Sequence, residues 1–112
     1  MVGDVAGKAA ILVDDMIDTA GTLIEAARVV RQAGAVRVFA AATHGVFSGP
    51  AYERLAGPEI EEIVVTDTIP LRPGAPSKIK FLSVADILAR SIRSIFTDGS
   101  VSELFAGDNQ LF

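Results

Sequence analysis

Short apolar runs alternate along this chain with segments of helical period, and few folds accept that alternation. Residues 9–13 (AAILV) form such a run, β-branched in part and ending in two aspartates. Their length and branching predict a buried strand. After a polar turn, residues 22–33 predict a helix. Leu23, Ala27 and Val30 recur at i, i+4 and i+7, Arg28 and Arg31 lie in the last turns, and Gly34 follows as a C-cap. Residues 36–43 (VRVFAAAT) are a second strand, HGVFSGP a loop, residues 51–55 a short helix, and residues 60–66 (IEEIVVT) a third strand. DTIPLRPGAP is proline-rich and reads as loop. Residues 79–82 are a short fourth strand. A last helix begins at Ser83, with Asp86 in capping-box position. Its apolar face is Val84, Leu88, Ser91 and Ile95, flanked by Ile87 and Ile92, and it ends over residues 96–99. SVSELF makes a short C-terminal element.

Strands separated by helices pair in parallel, because parallel neighbours need crossover connections. The expected fold is therefore α/β: a doubly wound, mainly parallel sheet flanked by helices, in one domain over residues 1–112. Four strands are few for such a sheet, and its edges are expected to lie open. The composition agrees. Hydrophobic residues make up 50% of the 112, with ten glycines besides. Ordinary soluble domains reach about 45–50% only with glycine included. A lone domain this apolar is expected to lack a partner surface or a neighbouring domain.

The charge balance narrows the function. Ten Lys and Arg against 14 Asp and Glu give a net charge of −4, with no basic stripe for nucleic acid. The absence of cysteine excludes disulfides, thiolate nucleophiles and Cys-based zinc sites. No apolar run approaches the roughly 20 residues of a membrane span, and MVGDVAGK is not a signal peptide. A cytoplasmic location is expected. No G-x-G-x-x-G follows a strand, so a dinucleotide site is not supported.

The segment ILVDDMIDTAGT concentrates the chemistry. It reads strand, carboxylate pair, tight loop, helix start. Open α/β sheets bind ligands beyond the carboxyl ends of their strands, where Asp14 and Asp15 fall. Asp18, Thr19, Ala20, Gly21 and Thr22 then combine small residues with two hydroxyls ahead of a helix. Small residues let backbone N–H groups approach an anion, and the helix N-terminus favours negative charge. A carboxylate accepts hydrogen bonds from vicinal hydroxyls. The pattern suits one ligand carrying a phosphate and a diol, a sugar phosphate, and free carboxylates could also hold Mg²⁺. The plainer readings are Asp18 or Thr19 as a simple N-cap, and the aspartate pair as a solvated turn.

ILVDDMIDTAGT resembles the phosphoribosyl-diphosphate signature of the type I phosphoribosyltransferase fold. Its adjacent aspartates, followed by Met and DTAGT, most resemble the ribose-phosphate pyrophosphokinase (PRPP synthetase) family. GDVAGK, ATHGVFSGPA, VVTDTIP and SVSELF extend the likeness over the whole chain. The resemblance implies the C-terminal domain of an enzyme that joins ribose 5-phosphate to the diphosphoryl group of Mg·ATP, giving phosphoribosyl diphosphate and AMP. It implies that Asp18, Thr19, Ala20, Gly21 and Thr22 hold the 5-phosphate. Asp14 and Asp15 would lie at the ribose hydroxyls, with Asp14 the stronger candidate. Ser100 and Ser102 would lie near a regulatory site for phosphate and ADP at subunit contacts in a homo-oligomer.

The same resemblance implies absences. The ATP site, the catalytic Lys/Arg loop and a magnesium-binding His lie upstream in the family. No catalytic residue and no metal ligand is therefore assigned to this chain, and the Mg²⁺ ligands are expected mainly outside it. The chain alone is expected to be inactive. His44, the single histidine, is expected to be a structural hydrogen-bonder, and THGVFSGPA loop architecture. Two other functions remain open: a type I phosphoribosyltransferase, which would need a base-recognising hood, and a non-catalytic regulatory or associated subunit.

Overall fold

A computed structural model describes residues 3–97. They divide between two compact units, one running to Leu82 and the other starting at Ser83. The first holds β1 (Ala9–Ile17), α1 (Gly21–Gln32), β2 (Arg37–Gly45), α2 (Ala51–Leu55), β3 (Glu62–Thr66) and β4 (Ile79–Leu82). All neighbouring strands are parallel, in the order β1-β2-β3-β4. The α/β class, with a parallel sheet and flanking helices, is thus observed.

One row of the sheet explains the core. Leu12 pairs with Ala40, Ala40 with Ile63, and Ile63 with Ile79. Side chains two apart on a strand share a face, so Val38, Ala40 and Ala42 point the same way, as do Ile63 and Val65. All five are buried, with Ile24, Ala27 and Val30 of α1 and Ala51 and Leu55 of α2 packed in the same cluster. The strand order is sequential and right-handed crossovers all turn one way, so α1 and α2 share this face. Ile11 and Val13 point the other way and stay 65% and 77% exposed. Part of the apolar excess lies there.

Several boundaries differ from the sequence expectation: β2 runs on through His44 and Gly45, read as loop, β3 begins at Glu62 rather than at residue 60, α1 starts and ends one residue earlier, and β1 and α3 differ most. β1 continues four residues beyond Val13, because Asp14, Met16 and Ile17 keep pairing with Ala42, His44 and Gly45 of β2. Carboxylates read as strand ends only where the strand is buried, and Asp14 and Asp15 are exposed. In the second unit α3 spans Ala85–Phe96, and its N-cap is Val84, with no side-chain cap. Ser83 Oγ instead accepts the Ala85 N–H at 3.2 Å, and Asp86 pairs with Arg90 at 3.4 Å. The capping box is therefore not formed. Ser100, Ser102 and the SVSELF element lie outside the described residues.

Gly34 does end α1. At φ +104 it donates to the Arg31 carbonyl while Ala35 donates to that of Val30, a Schellman motif that satisfies the last carbonyls. A Cβ here would also meet the backbone of Ala6 at 3.0 Å.

The packing has a direct consequence for stability. Leu55 is fully buried and Val29, on the outer face of α1, is half exposed. Leu55→Ala is expected to lower the unfolding free energy by about 2–5 kcal/mol, and Val29→Ala to change it by no more than about 0.5 kcal/mol. Urea denaturation followed by circular dichroism measures both. Equal losses would contradict this placement of the core.

Candidate functional site

The site begins where β1 hands over to α1 through only Asp18, Thr19 and Ala20. Ala20 is the N-cap residue of α1 and is left-handed, φ 67 and ψ 7. Its carbonyl accepts the first helical bond, from Ile24 N–H at 3.0 Å. No side chain caps the helix, and its first turn has no acidic residue. Reading Asp18 or Thr19 as an ordinary N-cap is thereby overturned. The first-turn amides, from Gly21 on, have no partner within the helix. They lie at the end of the helix dipole that attracts anions.

Strand alternation separates the two aspartates. Asp14 leaves the strand on the side of Leu12 and Met16 and Asp15 on the other, yet their carboxyl groups stay within hydrogen-bonding reach of each other. Asp14, Asp18, Thr19, Ala20 and Thr22 line one cavity of 130 Å³, together with Met16, Ile17 and Leu23. Asp15 does not border it, and neither does Gly21, which lines a larger cavity of 420 Å³ with Arg54, Arg28 and Glu25. Five of the seven sequence candidates are thus brought together. Hydrogen bonds hold the Asp14 carboxyl below the usual carboxylate range, first that with the Asp15 side chain and then that from the Asp15 N–H, 2.8 Å away. Asp14 is fully exposed, so this keeps an acceptor ionised rather than storing stability. No group of three metal-ligating side chains occurs among the described residues.

The loop is braced from behind by the segment after β2. The Ile17 carbonyl accepts the N–H groups of Val46 and Phe47, at 2.9 and 3.1 Å, and the Asp18 carbonyl accepts that of Ser48 at 3.1 Å. The Ser48 hydroxyl also donates to the Asp18 carboxylate. Phe47 anchors this segment. It is left-handed at φ 50, it is buried, and its ring fills the space where a Cβ on Gly45 would sit. The left-handed backbone costs about 1–2 kcal/mol, of the order that burying the ring returns. Arg54 Nη1 of α2 donates to the Thr19 carbonyl at 3.0 Å. Ser48 and Arg54 were not singled out from the sequence. The available signal was topological: loops leaving two parallel neighbours emerge at the same sheet edge, so residues thirty apart meet. His44 Nδ1 lies 2.7 Å from Thr68 Oγ1, a contact joining β2 to the loop after β3. On the strand His44 pairs with Met16, which borders the small cavity.

Comparison with known proteins gives the family of the chain. A family model described as "Phosphoribosyl synthetase-associated domain" matches residues 1–106. The ribose-phosphate pyrophosphokinase of Caldanaerobacter subterraneus subsp. tengcongensis is 56% identical over 106 residues, which are 94% of this chain and 34% of that protein. That of Corynebacterium efficiens is 52% identical over 108 residues, 96% of this chain and 33% of that one. The crystal structure of phosphoribosylpyrophosphate synthetase from Mycobacterium smegmatis superposes with a TM-score of 0.83 at 47% identity, covering 88% of this chain and 33% of that one. The chain spans about a third of the length of the curated relatives it matches. With a family model matched over residues 1–106 and relatives more than half identical along nearly its whole length, the chain belongs to the phosphoribosyl synthetase-associated domain family.

Proposed function

We propose that this chain supplies the ribose 5-phosphate site of a ribose-phosphate diphosphokinase, which converts ATP and ribose 5-phosphate to phosphoribosyl diphosphate and AMP for nucleotide biosynthesis. One observation carries the reading. An uncapped helix N-terminus, two threonine hydroxyls and an ionised carboxylate border one small cavity. A phosphate fits the amides of Ala20 and Thr22 and the hydroxyls of Thr19 and Thr22. The vicinal hydroxyls of the sugar fit Asp14, with Asp15 a secondary partner at most, since it does not border the cavity.

A sugar held at its phosphate and its diol has little freedom left at C1. The 1-hydroxyl oxygen forms its bond to the β-phosphorus of ATP. The bond from that phosphorus to the oxygen bridging the α-phosphate breaks, AMP leaves with that oxygen, and the hydroxyl proton is released. Phosphoryl transfer depends mostly on such positioning and on charge stabilisation. On the family likeness, the ATP site and the cationic catalytic loop belong to the part of such an enzyme beyond the matched third, and a homo-oligomer rests on the same likeness. Regulation by ADP or phosphate through Ser100 and Ser102 and a cytoplasmic location rest on the family likeness alone. Asp14 and Asp15 fit a minor share in holding Mg²⁺, which takes one or two carboxylates alongside water and substrate phosphates. Mg²⁺ supplies positive charge to the transferred phosphates when bound. The intact loop favours this reading over a non-catalytic subunit, since core packing does not demand a loop of this chemistry.

Three outcomes are expected. By isothermal titration calorimetry, Asp14→Ala weakens ribose 5-phosphate binding about tenfold or more and Asp15→Ala by no more than about threefold. The reverse order would contradict the split of the pair. Affinity also falls as pH drops from 7 to 5, because the ligand's phosphate loses its second charge near a pKa of about 6. Asp14, with its pKa lowered, stays ionised through that window, and its contribution is lost only below the ordinary Asp value of about 3.9. A single decline near pH 4 in a pH titration would contradict this. Finally, the purified 112-residue chain binds ribose 5-phosphate but forms no AMP from Mg·ATP and the sugar. AMP detected by chromatography would contradict the division of labour.

A further inference from the structure

We infer that Arg54 is a positioning residue of the phosphate loop, acting through the Thr19 carbonyl to aim the Ala20 N–H at the ligand. The inference rests on the ribose 5-phosphate reading for its substrate but on geometry for its mechanism. A trans peptide is planar, with C=O and N–H pointing in opposite directions. No cis peptide occurs among the described residues. The group that holds the Thr19 oxygen therefore sets where the Ala20 hydrogen points. Arg54 Nη1 holds that oxygen at 3.0 Å. Arg54 lines the larger cavity, with Gly21 and Thr22, and is not among the residues lining the smaller one with Asp14, Thr19 and Ala20. The Ala20 N–H is thereby turned toward the latter.

The preceding peptide is set in the same way. The Asp18 carbonyl accepts the Ser48 N–H, so the Thr19 N–H is turned away from the β2–α2 segment. Two successive N–H groups aimed to one side, followed by a left-handed residue, make a concave anion-binding turn. Left-handed backbone is costly for alanine and needs external support. The Arg54 fork, on a helix whose Ala51 and Leu55 are fully buried, is a rigid support. The neighbouring glycine fits the same contact: a Cβ on Gly21 would lie 3.2 Å from Arg54 Nη1, close enough to push the guanidinium by a few tenths of an ångström.

The test uses the 112-residue chain and its variants Arg54→Ala, Arg54→Gln and Arg54→Lys. Arg54→Gln keeps most of the side-chain stem should truncation to Ala unfold the protein. ¹⁵N relaxation of the ligand-free chain reads the order parameters of Ala20 and Gly21. Calorimetry reads affinity for ribose 5-phosphate and for inorganic phosphate. The expected result is order parameters falling from about 0.85 toward 0.6 in the Ala and Gln variants. Affinity for both ligands is expected to weaken in parallel, by about threefold or more, as for loss of one charge-assisted hydrogen bond. Arg54→Lys, still a cationic donor, retains part of both. Unchanged order parameters would overturn the inference, as would a loss confined to ribose 5-phosphate, which would place Arg54 on the sugar instead. A wild-type chain that binds neither ligand would overturn the substrate reading, and the order parameters would still decide the clamp.

Discussion

The site depends on the parallel pairing of β1 with β2 being carried past the buried part of the sheet. Asp14, Met16 and Ile17 pair with the end of β2, and the residues after β2 then take the Ile17 and Asp18 carbonyls as acceptors. A turn of three residues between a strand and a helix leaves several backbone groups without regular partners. Here the carbonyls are satisfied from behind by Val46, Phe47, Ser48 and Arg54. The amides stay free on the other side, where an anion can use them. The burial of Phe47, Ala51 and Leu55 holds that bracing segment in place.

Charge follows the same division. The loop places no side-chain cap on α1 and no carboxylate in its first turn, so its N-terminus is not neutralised from within. Asp18, the closest carboxylate, is engaged by the Ser48 hydroxyl. Asp14 sits farther along the strand, hydrogen-bonded and ionised. A ligand with a phosphate at one end and hydroxyls at the other matches that order. A ligand with a phosphate alone would leave Asp14 unused.

Much of this could be read from the sequence. The apolar runs gave the four strands, because strands of parallel sheets are apolar on both faces, and they stay so here although Ile11 and Val13 are exposed. The spacing of Leu23, Ala27 and Val30 gave the helix. DTAGT gave the loop through its small residues and hydroxyls. The end of β1 could not be read, because hydropathy reports burial and not pairing, and Asp14 to Met16 are paired yet exposed. The left-handed residue was hidden too. Glycine is the usual occupant of that conformation, yet Ala20 adopts it while Gly21 is helical and makes room for Arg54. The Ser48 and Arg54 contacts span 30 and 35 residues and leave no local signature. Ser83 shows the opposite error, since a good capping pattern loses to a helix that begins two residues later.

The central claim is that one small pocket at the β1–α1 turn takes both ends of ribose 5-phosphate. Titrating the sugar phosphate into ¹⁵N-labelled 112-residue chain and following every amide shift tests it most directly. The account predicts saturable shifts concentrated at Asp14 and residues 18–22, with the Ala20 and Thr22 amides moving furthest. A titration that leaves those amides unmoved at millimolar ligand, or moves only residues around Arg28 and Glu25, would contradict it.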